Sequence, residues 1–361
     1  MAMNDRAGTL HVIAKEVNSP KRELSIRDCV PGMQMAETIH NDQGVVVILE
    51  KTVLNASLLA RLEGLGYQRI RVFVPNGTEA PEENRYEALY QACLDQVKNI
   101  FEPLAMGKPL KPEQVEAASE SVCKSTTAGC DFFQQAYRML PPQGSLLVHS
   151  LNTAMLSSFL HQWMKLDADL LPITTQAALL HDIGKTKIHH HLLDLPGALS
   201  AKEQEEWNRH PRLGWEIVTA CRKVDARIAT IVATHHERPD GSGYPLHLRG
   251  DAIDPIARII AVADRFDNLT SGTNRSRAVS PFRAFEMMEQ EAHEGFHVEE
   301  TLAFLTQVPG YYIGDRFFLS TGDIGEILYI NPHMKSRPLV RAGGRFLDLS
   351  IERHISIEAM V

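Results

Sequence analysis

The chain has 361 residues, 44% of them hydrophobic, and a formal net charge of −8. That length allows roughly two or three domains with real cores, and the acidic balance argues against a binder of DNA or RNA duplex, which would show a basic patch or stripe. Five scattered cysteines without a CxxC pair, no apolar leader and no run of about 18 uncharged apolar residues predict a cytoplasmic protein with reduced thiols and no membrane span.

Residues 1–80 hold a small α+β unit suited to regulation or interaction. Residues 44–49 read as a strand, and Ile70, Val72 and Val74 alternate with Arg71 and Phe73. Leu54, Leu58, Leu59 and Leu62 recur at helical spacing before Gly64 and Gly66, and the Pro, Gly, Asn and Glu of residues 75–83 mark a boundary. Residues 81–140 read as a helical connector broken near 106–112, with Tyr86, Leu89, Tyr90, Cys93 and Val97 along one face. The plainest account of it is a linker or dimerising stalk, with no chemistry of its own.

Residues 141–307 read as a helical domain carrying every candidate ligand. His149 opens a helix in which Leu151, Met155, Phe159 and Trp163 recur every fourth residue, and Ala177, Ala178, Leu179 and Leu180 run into His181. Ser200 and Glu203 make a capping box for a helix bearing Trp207 and His210. Asp254-Pro255 pairs an N-cap with proline at the first helical position, starting a helix with Ile256, Ile259, Ile260 and Ala263 inside. Asp264 follows on that apolar stripe, where a carboxylate is costly to desolvate unless it is paired or bound to metal. Residues 308–361 change to short strands around Phe317, Ile324, Leu339 and Phe346, a β-rich extension suited to packing or to a partner.

Ten of the sixteen histidines lie between His149 and His247. Adjacent His181-Asp182, followed by Ile183-Gly184-Lys185, and adjacent His235-His236 before a glycine turn offer imidazole and carboxylate ligands. That donor set suits first-row metals such as iron or manganese, and a shared carboxylate can bridge two of them. His149, His210 and Asp264, taken singly, read as satisfied structural groups. Beside His-Asp and His-His in one helical domain, several helices can aim one ligand each at a common centre. His189-His190-His191 reads as a solvent-exposed loop and His161 as a surface residue. Lys185, one helical turn after His181, is placed to hold a phosphate oxygen. In Gly241-Ser242-Gly243-Tyr244-Pro245 the glycines allow positive φ and the proline fixes the exit, projecting Tyr244 or backbone amides beside His235 and His236.

These blocks, in order and spacing, resemble the HD-GYP domain family of the HD superfamily of metal phosphohydrolases. The resemblance is carried by His149-Ser150-Leu151-Asn152, His181 to Lys185, His210-Pro211, His235 to Pro245, and Ala261 to Ser271. Pro31-Gly32-Met33 and the tail (Ile313-Gly314-Asp315, Asn331-Pro332) are similar to flanks found in some members. The resemblance implies a mainly α fold, a helical HD-type core, and a phosphodiesterase that opens cyclic di-GMP to pGpG, and on to GMP, through a metal-bridging hydroxide. It implies two divalent ions held by His149, His181, Asp182, His210, His235, His236 and Asp264. Asp182 would bridge them, Asp182 and Lys185 would be catalytic, and Lys185, Gly243, Tyr244, Pro245, Arg275 and Arg277 would contact substrate. Ser145 stands where some members carry a glutamate for a third metal, which implies a two-metal site. The family's Asp-Arg-Pro-Tyr-Arg stretch is replaced by Gly272-Thr273-Asn274-Arg275-Ser276-Arg277, which puts the phosphate clamp in question. Hydrolysis of another cyclic or linear nucleotide, and a metal-binding scaffold for signalling partners through the Gly-Tyr-Pro loop or the flanking domains, stay open, as does a homodimer.

Overall fold

The computed structural model describes residues 145–361 apart from Asn274, residues 82–127, and segments between residues 21 and 73. The Pro31-Gly32 flank, most of the boundary at 75–83, Cys130, the end of the connector and the start of the central block before Ser145 lie outside the described residues. The chain divides into two compact units, 1–80 and 81–361.

In the first unit Arg69–Phe73 is the middle strand of an antiparallel sheet, between Lys21–Ser25 and Gln34–Met35. Ile70 and Val72 are buried while Arg69 and Arg71 face out, as strand alternation dictates. Leu54 and Leu62 pack on that sheet with Ile26 and Met35. Ile39–His40 pairs separately with Val46–Ile48.

The second unit is helical and closes with a sheet. Helices α1 (Glu82–Ala105) and α2 (Pro112–Thr127) pack on each other and on α3 (Leu146–Trp163), and α2 also packs on α4 (Leu171–Leu180). The apolar stripe of α1 (Tyr90, Cys93, Val97, Ile100, Phe101 and Leu104) is buried in the same core as α3 and α4. This differs from a free-standing stalk, and the cause is α3 itself. Every residue from Val148 to His161 is buried, and a helix buried all round needs neighbours on every side.

Five-residue α5 (His190–Asp194) precedes α6 (Ala201–Trp207), α7 (His210–Ala220) and α8 (Ala226–Thr234). Long α9 (Pro255–Ser271) then crosses α3, followed by α10 (Pro281–His293) and α11 (Val298–Gln307). The expected starts are present: Ser200 and Glu203 form the reciprocal capping box, and Asp254 accepts from the Ile256 amide ahead of Pro255. Arg227 also makes a two-pronged ion pair with Asp254, tying α8 to the start of α9. The helix expected to bear both Trp207 and His210 ends at Trp207, and His210 begins α7. No helix among the described residues is long and apolar enough to cross a membrane.

The tail is a five-stranded antiparallel sheet, in the order Ile357–Met360, Arg316–Leu319, Ile324–Asn331, Met334–Ala342, Arg345–Asp348. It packs on α10, where Phe282 and Phe285 meet Tyr312 and Phe317 edge-on. Phe285 also stacks on Phe266 of α9, with centroids 5.4 Å apart. This aromatic cluster joins the tail to the helix that bears Asp264. Phe285→Ala is expected to cost about 3–5 kcal/mol through lost burial and a residual cavity, read as a lower urea midpoint with an unchanged slope.

Candidate metal centre

Four helix ends and one helix face converge. His149 lies in the first turn of α3, His181 caps α4 and passes directly to Asp182, His210 begins α7, His235 caps α8 ahead of His236, and Asp264 faces inward from α9. The seven residues expected from sequence therefore meet, and they sort into two groups. His149, His181, Asp182 and Asp264 form one, and Asp182, His210, His235 and His236 the other, with the donor atoms of each group within 4.8 Å of one another. Asp182 belongs to both. Its Oδ2 lies 3.4 Å from Nε2 of both His149 and His181, whereas Oδ1 lies 3.2 Å from His210 Nε2.

The hydrogen bonds on the far side of each ring decide what the near side can do. His181, His210 and His235 each donate Nδ1–H to the carbonyl three residues back, at Ala178, Trp207 and Val232. His149 donates Nδ1–H to Asp267 at 2.7 Å. In the neutral rings every Nε2 is then a lone pair aimed at the centre. Yet His149 Nε2 lies 3.2 Å from His181 Nε2 and 2.9 Å from an Asp264 oxygen. Acceptors this close repel unless a cation lies among them. Asp182 Oδ1 and His235 Nε2 are moreover buried without a hydrogen-bond partner, a costly state for bare polar atoms. The donor set fits divalent metal ions on these grounds.

The pKa directions differ between the two groups. Burial lowers the His149 pKa, but Asp182, Asp264 and Asp267 outweigh it and raise it well above the usual 6.5. His181 is also raised, burial being overcome chiefly by Asp182. Burial works to raise Asp182 and Asp264, yet Lys185 and His181 hold the first well below the carboxylate range, and His149 and His181 the second. In the other group burial wins. His210 is lowered, His235 falls well below 6.5, and His236 is lowered to about 3 by burial and the neighbouring His210. Those three rings stay neutral, as ligands must.

Lys185, in the short 3₁₀ turn Ile183–Lys187, donates to Asp182 Oδ2 and lies 4.8 Å from the Trp207 ring centre. Arg275 stacks its guanidinium 3.8 Å over the same indole and donates to the Leu192 carbonyl. Lys185, Trp207 and Arg275 wall a cavity of about 910 Å³ that reaches His149, with Asn268 and exposed Arg277 also on its wall. Gly243, Tyr244 and Pro245 are not among its wall residues. Tyr244 instead stacks on the His236 ring at 4.8 Å and stands edge-on to His210. Of the two glycines in that turn, Gly241 has φ +81°, while Gly243 is required by space. A Cβ there would lie 2.5 Å from the His236 carbonyl oxygen and 2.4 Å from the Arg238 nitrogen.

Two expectations change. His161 is buried rather than at the surface, held by Thr174 at 2.9 Å and the Asp167 carbonyl at 3.0 Å, and it stands outside both ligand groups. His189 and His191 are exposed as expected, but His189 caps a helical turn where a loop was expected. The side chain of His190 lies outside the described residues. Sequence reasoning also passed over the residues that brace the ligands. Asp267 and Asn268, three and four residues after Asp264 on α9, hold His149 and Asp264 respectively, and that helical spacing was the available signal. Glu237 is buried and accepts from the Leu246 and Leu248 amides at 2.6 and 2.9 Å, pinning the Gly-Tyr-Pro turn. Ser145, at the position discussed for a third metal, spends its hydroxyl on the Val148 amide as the α3 cap.

Residues 145–302 match the HD domain family model. Over 249 residues the chain is 28% identical to the cyclic di-GMP phosphodiesterase PA4108 of Pseudomonas aeruginosa, covering 68% of this chain and 60% of that protein. It is 46% identical over 100 residues to the cyclic di-GMP phosphodiesterase response regulator RpfG of Xanthomonas campestris, covering 27% of this chain and 26% of that one. It is 39% identical over 141 residues to the 3'3'-cGAMP-specific phosphodiesterase 2 of Vibrio cholerae, covering 38% and 26%. The chain thus spans 60% or less of the length of these relatives. An HDG"Y"P protein from Bdellovibrio bacteriovorus shares the fold at 16% identity and a TM-score of 0.51, over 78% of this chain and 98% of that one.

Proposed function

We propose that this chain, which carries an HD domain of the HD-GYP type, is a metal-dependent phosphodiesterase that opens cyclic di-GMP to linear pGpG. The observation that carries the reading is the division of Asp182, one oxygen to each histidine group. In this reading His149, His181, Asp182 and Asp264 would hold iron or manganese on one side, and Asp182, His210, His235 and His236 on the other. When bound, such ions would supply Lewis-acid polarisation and lower the pKa of water towards neutrality.

The chain's own residues supply the rest. The rings of His149, His181, His210 and His235, each fixed through Nδ1, keep the ligand geometry before substrate arrives, so little reorganisation is needed during the reaction. Water adds at phosphorus and the bond to the ribose 3′ oxygen breaks, leaving a 5′ phosphate and a 3′ hydroxyl. Lys185, between Asp182 and the Trp207 face, is positioned to offset the growing charge on the phosphoryl oxygens. Arg275, braced on Trp207, and Arg277 on the cavity wall take the phosphate not being cleaved. Gly243, Tyr244 and Pro245 shape the His236 side of the site.

The test is hydrolysis by protein purified without oxygen and reloaded with iron or manganese, with products resolved by chromatography. Metal-dependent pGpG supports the reading, whereas full metal loading with no turnover overturns it in favour of a scaffold. The similarity to a 3'3'-cGAMP-specific enzyme supports a second reading, with that cyclic dinucleotide as substrate, and a panel of cyclic dinucleotides at equal concentration decides between them. Arg275→Ala and Arg277→Ala are expected to raise KM several-fold with a smaller change in kcat, since phosphate held equally in ground and transition states gives uniform binding. An unchanged KM in both would remove these arginines from substrate binding.

A further inference from the structure

Three of the four ligand histidines with a resolved Nδ1 partner are braced by their own chain, at the carbonyl three residues back. His149 is the exception, because its support comes from side chains and reaches a different helix. His149 Nδ1 donates to Asp267 Oδ2 at 2.7 Å, while Asp267 Oδ1 accepts from Asn152 Nδ2 at 2.8 Å and from Ser271 at 3.2 Å. Asn152 Oδ1 in turn accepts from the Tyr90 hydroxyl at 2.9 Å. Tyr90 lies on α1, and Asn152, Asp267 and Tyr90 are all buried.

The polarity of this relay is fixed along its length. A carboxylate can only accept, so Asn152 must turn its NH₂ towards Asp267 and its oxygen towards Tyr90. The phenol, kept protonated by burial and by the nearby charge of Asp267, is the donor that matches that oxygen. Without it, the buried Asn152 oxygen has no other donor among the described residues, and the amide has one reason fewer to hold Asp267 in place.

We propose that Tyr90 is a positioning residue for the metal ligand His149, acting through Asn152 and Asp267, so that its hydroxyl sets metal affinity at the His149 group and not at the His210 group. This rests on the metal reading given above. The carboxylate–imidazole pair keeps the Nδ1–H tautomer and raises the basicity of Nε2, and partners of this kind are commonly worth about 10- to 100-fold in metal affinity. Tyr90, two hydrogen bonds further out, acts by steadying that pair.

The test is Mn²⁺ binding to anaerobically prepared metal-free full-length protein, titrated and followed by calorimetry. Tyr90→Phe keeps the ring and removes only the hydroxyl. It is expected to weaken one of the two Mn²⁺ sites about three- to tenfold, a fraction of the effect of removing the carboxylate partner, and to leave the other site unchanged. Asp267→Asn is expected to weaken the same site more, and adding Tyr90→Phe to it should change nothing further, as for two groups acting through one contact. Val97→Ala, which loosens the buried face of the same helix away from the relay, should lower Tm while leaving both Mn²⁺ affinities as they were. An unchanged isotherm in Tyr90→Phe beside a weakened one in Asp267→Asn overturns the role of Tyr90 and leaves the metal centre standing. Wild-type protein that binds no Mn²⁺ overturns the metal reading and this inference with it.

Discussion

Asp182→Ala is expected to abolish hydrolysis, by at least about a thousandfold, because the residue acts as part of a unit whose members do not contribute additively. It is buried, and it is the one residue common to both ligand groups. Its loss takes a donor from each and also leaves Lys185 without its anionic partner. The substitution therefore reads out twice. Metal content should fall alongside activity, and the rise in Tm on adding Mn²⁺ should shrink, since a ligand at a hundred times its Kd stabilises by about 2.7 kcal/mol. Asp182→Asn, which keeps the shape and removes the charge, separates a packing defect from lost ligation. Wild-type turnover in either variant would sink the mechanism proposed for this site.

Gly184→Ala is expected to damage the site without replacing a ligand. A Cβ at this position would stand 1.9 Å from the His210 carbonyl oxygen, 2.5 Å from the Gly214 nitrogen and 2.9 Å from the His210 carbonyl carbon. All three are backbone atoms, so no side chain can swing aside. The 3₁₀ turn carrying Lys185 and the start of α7 must separate, and His210 moves with its own backbone. Overpacking of this kind costs about 1–3 kcal/mol or more, and misplacing a reacting group by about 1 Å can cost on the order of a hundredfold in rate. Gly310→Ala is the control. Its Cβ would meet nothing within 4 Å, and it should keep both stability and activity. Full activity in Gly184→Ala would mean that His210 need not sit where it does.

The candidate ligand set was legible because its members carry unusual costs. A carboxylate on the apolar stripe of α9 and adjacent His-Asp and His-His pairs at the ends of apolar helices are hard to account for without a common partner, and they do converge. The helix starts at Ser200 and Asp254 were equally legible, because capping is a contest among neighbouring atoms. His161 was misread for the same reason in reverse. A histidine beside a glutamine looks amphipathic in one dimension, but α3 is covered on every side and its partners Thr174 and Asp167 lie across a turn. Likewise the stripe of α1 announced burial without saying against what.

By itself, then, the sequence determined which residues could bind metal, which helices would carry them, and that the chain would change from helix to strand in its last fifty or so residues. Periodicity, caps and the price of burying charge are local, so one dimension records them. Only the tertiary structure decided that Asp182 divides its oxygens between two groups, that Tyr90 reaches His149 through Asn152 and Asp267, and that Arg275 lies on Trp207 beside Lys185. Each of those depends on atoms tens of residues apart meeting within a few ångströms. That meeting is set by how α1, α3 and α9 pack, which no single segment encodes.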